Sequence, residues 1–191
     1  VSLDVGGVAK GYAVELIADQ LQKDGLQHAI INGGGNIRLI GDKPDNEAWS
    51  VGIQIPNLKA QSTDSLISVK SKGDTSFVTS GDYQRYYTYK GKIMHHIIDP
   101  DTLMPARRSR SVTVITDNSG IADILSTTLY TMSHEEGVKL INRLQKEENI
   151  QVNAIWVYDD IQKPENGTDA ISVKGYQIVF SDGLKDKIKE S

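Results

Sequence analysis

Apolar residues recur along this chain in two rhythms. Between Ala9 and Lys23 they return at helical spacing (Ala9, Tyr12, Ala13, Leu16, Ile17, Leu21), which predicts a helix with one buried face, and Gly25 supplies its stop. Before it, Val1 to Asp4 reads as the end of a strand and Val5-Gly6-Gly7 as a tight turn. Shorter β-favouring runs follow at Gln27–Asn32, Asn36–Ile40, Trp49–Ile55, Leu66–Ser71 and Ser76–Ser80, parted by polar loops at Asp42–Glu47 and Pro56–Ser65. Ser80-Gly81-Asp82 reads as a turn into a tyrosine-rich strand, Tyr83–Tyr89. Lys90-Gly91-Lys92 then reverses the chain into Ile93–Ile98, and Asp99-Pro100 ends the pairing. Ser111–Thr116 is a β-branched strand. A helix over roughly Gly120 to Thr131 comes next, and Ser133 with Glu136 forms a capping box that opens another, to about Lys146, burying Val138, Ile141 and Leu144. Val152–Tyr158 and Ile171–Phe180 read as a closing hairpin; Asn166-Gly167-Thr168 between them fits a glycosylation sequon but reads more simply as a turn.

Many short strands and about three helices define an α+β class, with a central, mostly antiparallel sheet and helices at its side. A length of 191 residues makes one domain, 1–191, the default. The net charge of −4 argues against a general nucleic-acid surface, and the absence of cysteine removes disulfides and thiolate zinc sites. No apolar run reaches the roughly 18 residues that a membrane span needs. The opening Val-Ser-Leu-Asp-Val-Gly-Gly reads as the middle of a domain, which leads us to expect further chain before it.

Five stretches carry groups capable of chemistry, and each also has a plain structural reading, which for the tyrosine-rich hairpin is an amphipathic sheet edge. Gly6-Gly7 at a helix start can present backbone N–H groups to an anion, with Lys10 in the first turn, or can simply be a connection. Gly33-Gly34-Gly35 marks a sharp bend or a place where something approaches the backbone closely. The hairpin brings a histidine, a carboxylate and Arg85 together; His95 and His96 must face opposite sides because strand side chains alternate. Asp123 and Thr127 lie four apart on one helical face beside Ser126, an oxygen set suited to Mg²⁺, although in isolation such a pair more often belongs to polar residues on a helix surface. Arg107, Arg108 and Arg110 could meet a phosphate or line a solvated loop.

Taken as a set and in order, the segments LDVGGVAKGYA (from Leu3), INGGGN (from Ile31), TSGDYQRY (from Thr79), HIIDP (from His96), SVTV (from Ser111) and ADILST (from Ala122) resemble the ApbE family of FAD:protein FMN transferases. The resemblance implies an ApbE-like, T-fold-related architecture. It implies an enzyme that cleaves the FAD pyrophosphate and passes FMN to a Ser or Thr hydroxyl in the flavinylation motif of an acceptor protein, with Mg²⁺. Relatives that mainly hydrolyse FAD to FMN and AMP, and a flavin-binding module without turnover, are the alternatives. By family match, Asp123, Thr127 and the Gly7 carbonyl are metal ligands with Ser126 a neighbour; Asp4, Lys10 and Ile97 belong to the FAD site. His96 is the candidate base, an ordinary imidazole pKa of about 6.5 suiting proton transfer near neutrality, and Asp99 holds or replaces it. The resemblance further implies a bacterial lipoprotein, held outside the cytoplasm by a lipid anchor in a preceding N-terminal region. One departure stands out: where the family follows Asp-Pro with Thr-Gly, this chain has Thr102-Leu103.

Overall fold

A computed structural model describes residues 2–57, 64–160 and 170–190. Most of the expected Pro56–Ser65 loop, and the Asn166-Gly167-Thr168 turn, lie outside the described residues. Helix α1 covers Ala9–Lys23; strands β1 (Ala29–Asn32), β2 (Asn36–Ile40), β3 (Trp49–Gln54), β4 (Ser65–Ser71) and β5 (Thr75–Gly81) follow. The hairpin β6 (Tyr86–Tyr89) and β7 (Lys92–His95) precedes β8 (Ser111–Thr116), α2 (Ser119–Thr131), α3 (His134–Glu147), β9 (Asn153–Asp159), β10 (Ile171–Val173), β11 (Tyr176–Phe180) and β12 (Ile188–Glu190).

The main sheet has seven strands in the order β1-β2-β5-β8-β9-β11-β10, every pairing antiparallel. Its middle strands are covered on both faces, which their lack of polar alternation foretells. Period-2 geometry splits them between two cores. Val112, Val114, Ala154 and Trp156 face the helices, packing with Ala122, Leu125, Leu129 and Ile141. Phe77, Ile115, Ile155 and Val157 face a second, three-stranded sheet (β12-β4-β3), meeting Val51, Ile53, Leu66 and Val69.

The structure corrects several local expectations. Ser2 to Val5 form no strand. The Asp4 carboxylate turns back to accept the Gly6 N–H at 2.7 Å, curling the chain into a side-chain-capped turn. Gly81 extends the expected Ser76–Ser80 strand, pairing with Ser111 as the last residue of β5, so the turn begins only at Asp82. Ile171–Phe180 is two strands, because Lys174 (φ 50°) and Gly175 (φ 81°) make a tight reversal inside it. The buried face of α1 is Gly11, Val14 and Ala18, while Tyr12, Leu16 and Ile17 are each more than half exposed. Small residues took the inner face because α1 crosses α2 at very short range: a Cβ on Gly11 would lie 2.3 Å from the Ser119 carbonyl oxygen and 2.5 Å from Asp123 Cβ.

Candidate functional site

The site grows from α2. Asn118 starts this helix by accepting the Ile121 N–H at 3.0 Å, which sets Asp123, Ser126, Thr127 and Tyr130 along neighbouring faces. Asp123 is buried, and its Oδ2 accepts the Gly11 N–H at 2.8 Å. Gly11 is the third residue of α1, where the N–H has no partner within the helix, and Val8 provides no side-chain cap. Asp123 therefore caps α1 from another helix, its charge placed at the positive end of the α1 dipole. One carboxylate oxygen is committed to that bond; a carboxylate has a second to offer.

Around Asp123 the other oxygen groups assemble. A Cβ on Gly7 would sit 3.7 Å from Thr127 Oγ1, so the Gly7 backbone lies directly over the threonine. The end of β5 places Ser80 Oγ 2.9 Å from Ser126 Oγ and 3.1 Å from Thr127 Oγ1. Ser126 is fully buried and donates to the Asp123 carbonyl at 3.0 Å. Lys10, one residue before the helix crossing, donates to the Gly34 carbonyl at 3.3 Å. Asn32 shapes that glycine loop by accepting the N–H groups of Gly34 and Gly35 through Oδ1. The glycine loop thus lies against the start of α1, beside the oxygen cluster.

The hairpin docks one turn further along α2. His95 is buried: Nδ1 accepts the Ile97 N–H at 3.3 Å, so Nε2 carries the proton and donates to the Ala106 carbonyl at 2.7 Å. Its ring meets Tyr130 edge-on at 5.8 Å, and burial holds its pKa below the ordinary histidine value. His96 faces outward, its Nδ1 3.3 Å from the Arg85 carbonyl. A carbonyl only accepts, so Nδ1 carries the proton and Nε2 is left as the ring's acceptor.

Asp4, Gly7, Lys10, Asp123, Ser126 and Thr127 are therefore brought to one region where α1 starts and crosses α2. The Ile97 side chain is buried in the helix-side core with Ala122 and Leu125 of α2, and the exposed neighbour is Ile98. Asp99 is a loop organiser. Its Oδ1 accepts the N–H groups of Asp101 and Thr102 at 2.9 and 3.2 Å, and these bonds hold its carboxyl below the usual range. The following loop keeps a glycine-like conformation despite the departure noted in the sequence, with Leu103 at φ 56° and its N–H bonded to the Asp99 carbonyl. Arg110 is no phosphate ligand in waiting: it bonds Asp82 at 2.7 Å, Asp159 at 2.9 Å and the Pro56 carbonyl at 3.0 Å. Sequence reasoning missed Ser80 and Gly11. The signal for Gly11 was a glycine inside a strong helical pattern, which asks for a close-packing reason.

Among the described residues no three His, Cys, Asp or Glu side chains gather as a metal cluster. The donors here are instead one carboxylate, one hydroxyl and one carbonyl, all hard oxygens. That chemistry fits a Mg²⁺ ion that keeps waters or takes phosphate oxygens to complete its shell.

An antiparallel α+β domain with a hard-oxygen cluster at a helix crossing, flanked by a lysine and a glycine loop, is the class these features define. The sequence profile of the ApbE family matches residues 1–152, and the chain belongs to that family. It is 33% identical over 184 residues to an FAD:protein FMN transferase of Klebsiella pneumoniae, covering 94% of this chain and 54% of that protein. To the FAD:protein FMN transferase of Vibrio cholerae it is 37% identical over 137 residues, 71% of this chain and 40% of that one. Among solved structures, the ApbE protein of Thermotoga maritima superposes with a TM-score of 0.75 at 28% identity, over 100% of this chain and 54% of that chain. The flavin transferase ApbE of Vibrio cholerae gives 0.64 at 29%, over 97% and 52%. The chain thus spans about half the length of the relatives it matches.

Proposed function

We propose that this chain carries the cation-binding and base-bearing part of a Mg²⁺-dependent FAD:protein FMN transferase, which attaches FMN to a Ser or Thr hydroxyl of an acceptor protein. The observation that carries the reading is the meeting of Gly7, Asp123 and Thr127 at the α1–α2 crossing, with Lys10 beside them. The Asp123 carboxylate, Thr127 Oγ1 and the Gly7 carbonyl would hold the ion, which when bound neutralises charge on the diphosphate. The remaining work belongs to the chain's own groups.

Lys10 sits where it can exchange its contact to Gly34 for a phosphate oxygen of FAD. In the reaction, the bond between the FMN phosphorus and the bridging pyrophosphate oxygen breaks and AMP leaves. A new bond joins that phosphorus to the acceptor oxygen. The acceptor's proton needs a base, and His96 Nε2 is the lone pair available: the Arg85 carbonyl holds the proton on Nδ1, and exposure leaves the ring reachable by another protein. His95 is ruled out of this role because both ring nitrogens are engaged in the core. Asp99, with Oδ1 in its turn, positions the segment after His96.

The test is mass spectrometry of an acceptor protein incubated with this protein, FAD and Mg²⁺. A gain of one FMN on the acceptor, dependent on Mg²⁺, is the expected result. Release of free FMN and AMP with no adduct would make the activity hydrolytic, and no turnover of FAD would remove the enzymatic reading.

A further inference from the structure

Three hydroxyls beside Asp123 form a chain whose direction is forced at one end. Ser126 Oγ lies 3.0 Å from the Asp123 carbonyl, which can only accept, so the Ser126 proton is spent there. Ser126 then meets Ser80 at 2.9 Å as an acceptor, and the Ser80 proton is spent in turn. Ser80 has no second proton for Thr127 at 3.1 Å, so Thr127 must donate to it. The single proton of Thr127 therefore points inward, and only oxygen lone pairs remain for its open side, where the Gly7 backbone lies.

We propose that Ser80 is a positioning residue that polarises Thr127 as a cation ligand, acting through the one-way sequence Thr127 to Ser80 to Ser126 to the Asp123 carbonyl. This rests on the reading of Asp123 and Thr127 as ligands of Mg²⁺. A free threonine hydroxyl samples orientations that turn its proton toward an ion, and each such orientation costs affinity. Anchoring the far end of the relay on the backbone of Asp123 ties the threonine's orientation to the helix that carries the carboxylate. Ser126, fully buried, works at second remove, through Ser80. Losing it would free the Ser80 proton to turn to Thr127 and reverse the relay.

The test compares Ser80→Thr with Ser80→Val, which share a shape and a preference for strands and differ only in the hydroxyl. Titration calorimetry with Mg²⁺ alone, and Mn²⁺ binding followed by electron paramagnetic resonance, read affinity without turnover; urea midpoints of the cation-free proteins check the fold. Ser80→Thr should bind close to the wild type. Ser80→Val should bind about three- to tenfold more weakly, the worth of one hydrogen bond, and Ser126→Ala should weaken binding in the same direction. Equal affinities for Ser80→Thr and Ser80→Val overturn the relay while leaving the cation site standing. A wild-type protein that binds neither ion, or an Asp123→Asn variant that binds both normally, overturns the cation reading and the relay with it.

Discussion

Gly11→Ala is the smallest change that should dismantle the site, and the structure sets its size. The added methyl would lie 2.3 Å from the Ser119 carbonyl oxygen and 2.5 Å from Asp123 Cβ, both on α2 and neither the far end of a flexible side chain. The helices must part, at an overpacking cost of about 1–3 kcal/mol. Parting them also breaks the 2.8 Å bond from Gly11 N–H to the buried Asp123 carboxylate, and a hydrogen bond to a charged group contributes about 1.5–3 kcal/mol. Alanine's better helix propensity returns about 1 kcal/mol. The net loss is about 1.5–5 kcal/mol, a fall in the urea midpoint of about 0.7–2.5 M at a slope of about 2 kcal/mol per M. Gly7→Ala is the control. Its Cβ would find Thr127 at an ordinary 3.7 Å, and the backbone there is not left-handed, so its stability should stay within about 0.5 kcal/mol of wild type. Because alanine keeps the Gly7 carbonyl, Mg²⁺ binding should survive in Gly7→Ala and fail in Gly11→Ala. A Gly11→Ala protein with wild-type midpoint and Mg²⁺ affinity would refute the close helix crossing and the capping role of Asp123 together.

Asp123→Asn keeps an oxygen to accept the Gly11 N–H but loses the charge, so it should abolish Mg²⁺ binding in calorimetry while leaving most of the stability; Thr127→Val should weaken binding nearly as much. His96→Ala should slow flavin transfer by about 10²- to 10⁴-fold in single turnovers with unchanged circular dichroism. His95→Ala strands the Ala106 carbonyl and the Ile97 N–H in the core, and should cost about 2–4 kcal/mol in urea titration with little loss of rate per folded molecule. Burial lowers the pKa of His95 and of His134. The unfolded chain thus binds protons that the fold refuses, so stability should be complete above about pH 6.5 and decline as pH falls from there toward the folded pKa values, as urea midpoints across pH 5 to 8 would show. Leu103→Gly, relieving a left-handed φ of 56° on an exposed residue, should raise stability by up to about 1 kcal/mol in thermal melts, strain relief of about 1–2 kcal/mol exceeding the entropy cost of glycine.

What could be read in the sequence divides along a physical line. Periodicity fixes an element's type and its alternation. Hence the α1 bounds, the Ser133–Glu136 capping box and the opposite facing of His95 and His96 are all legible in the sequence. Which face of an element is buried depends on what packs against it, and there the reading of α1 failed. Its apolar residues Tyr12, Leu16 and Ile17 look outward, because a face of glycine and alanine lets α2 come closer than leucine could. That same approach brings Asp123 to the N-terminus of α1 and Gly7 over Thr127. The feature that defeated the hydrophobic pattern is thus the one that assembles the site. Ser80 escaped for a related reason: a serine at the end of a strand shows nothing of its partner, and only the pairing of β5 with β8 carries it to α2. Local residue preference describes a segment alone, whereas a site is a meeting of segments. The groups most exposed to such error are small polar residues like Ser80, whose hydroxyl has no pattern along the chain and acquires its role from the neighbour it meets.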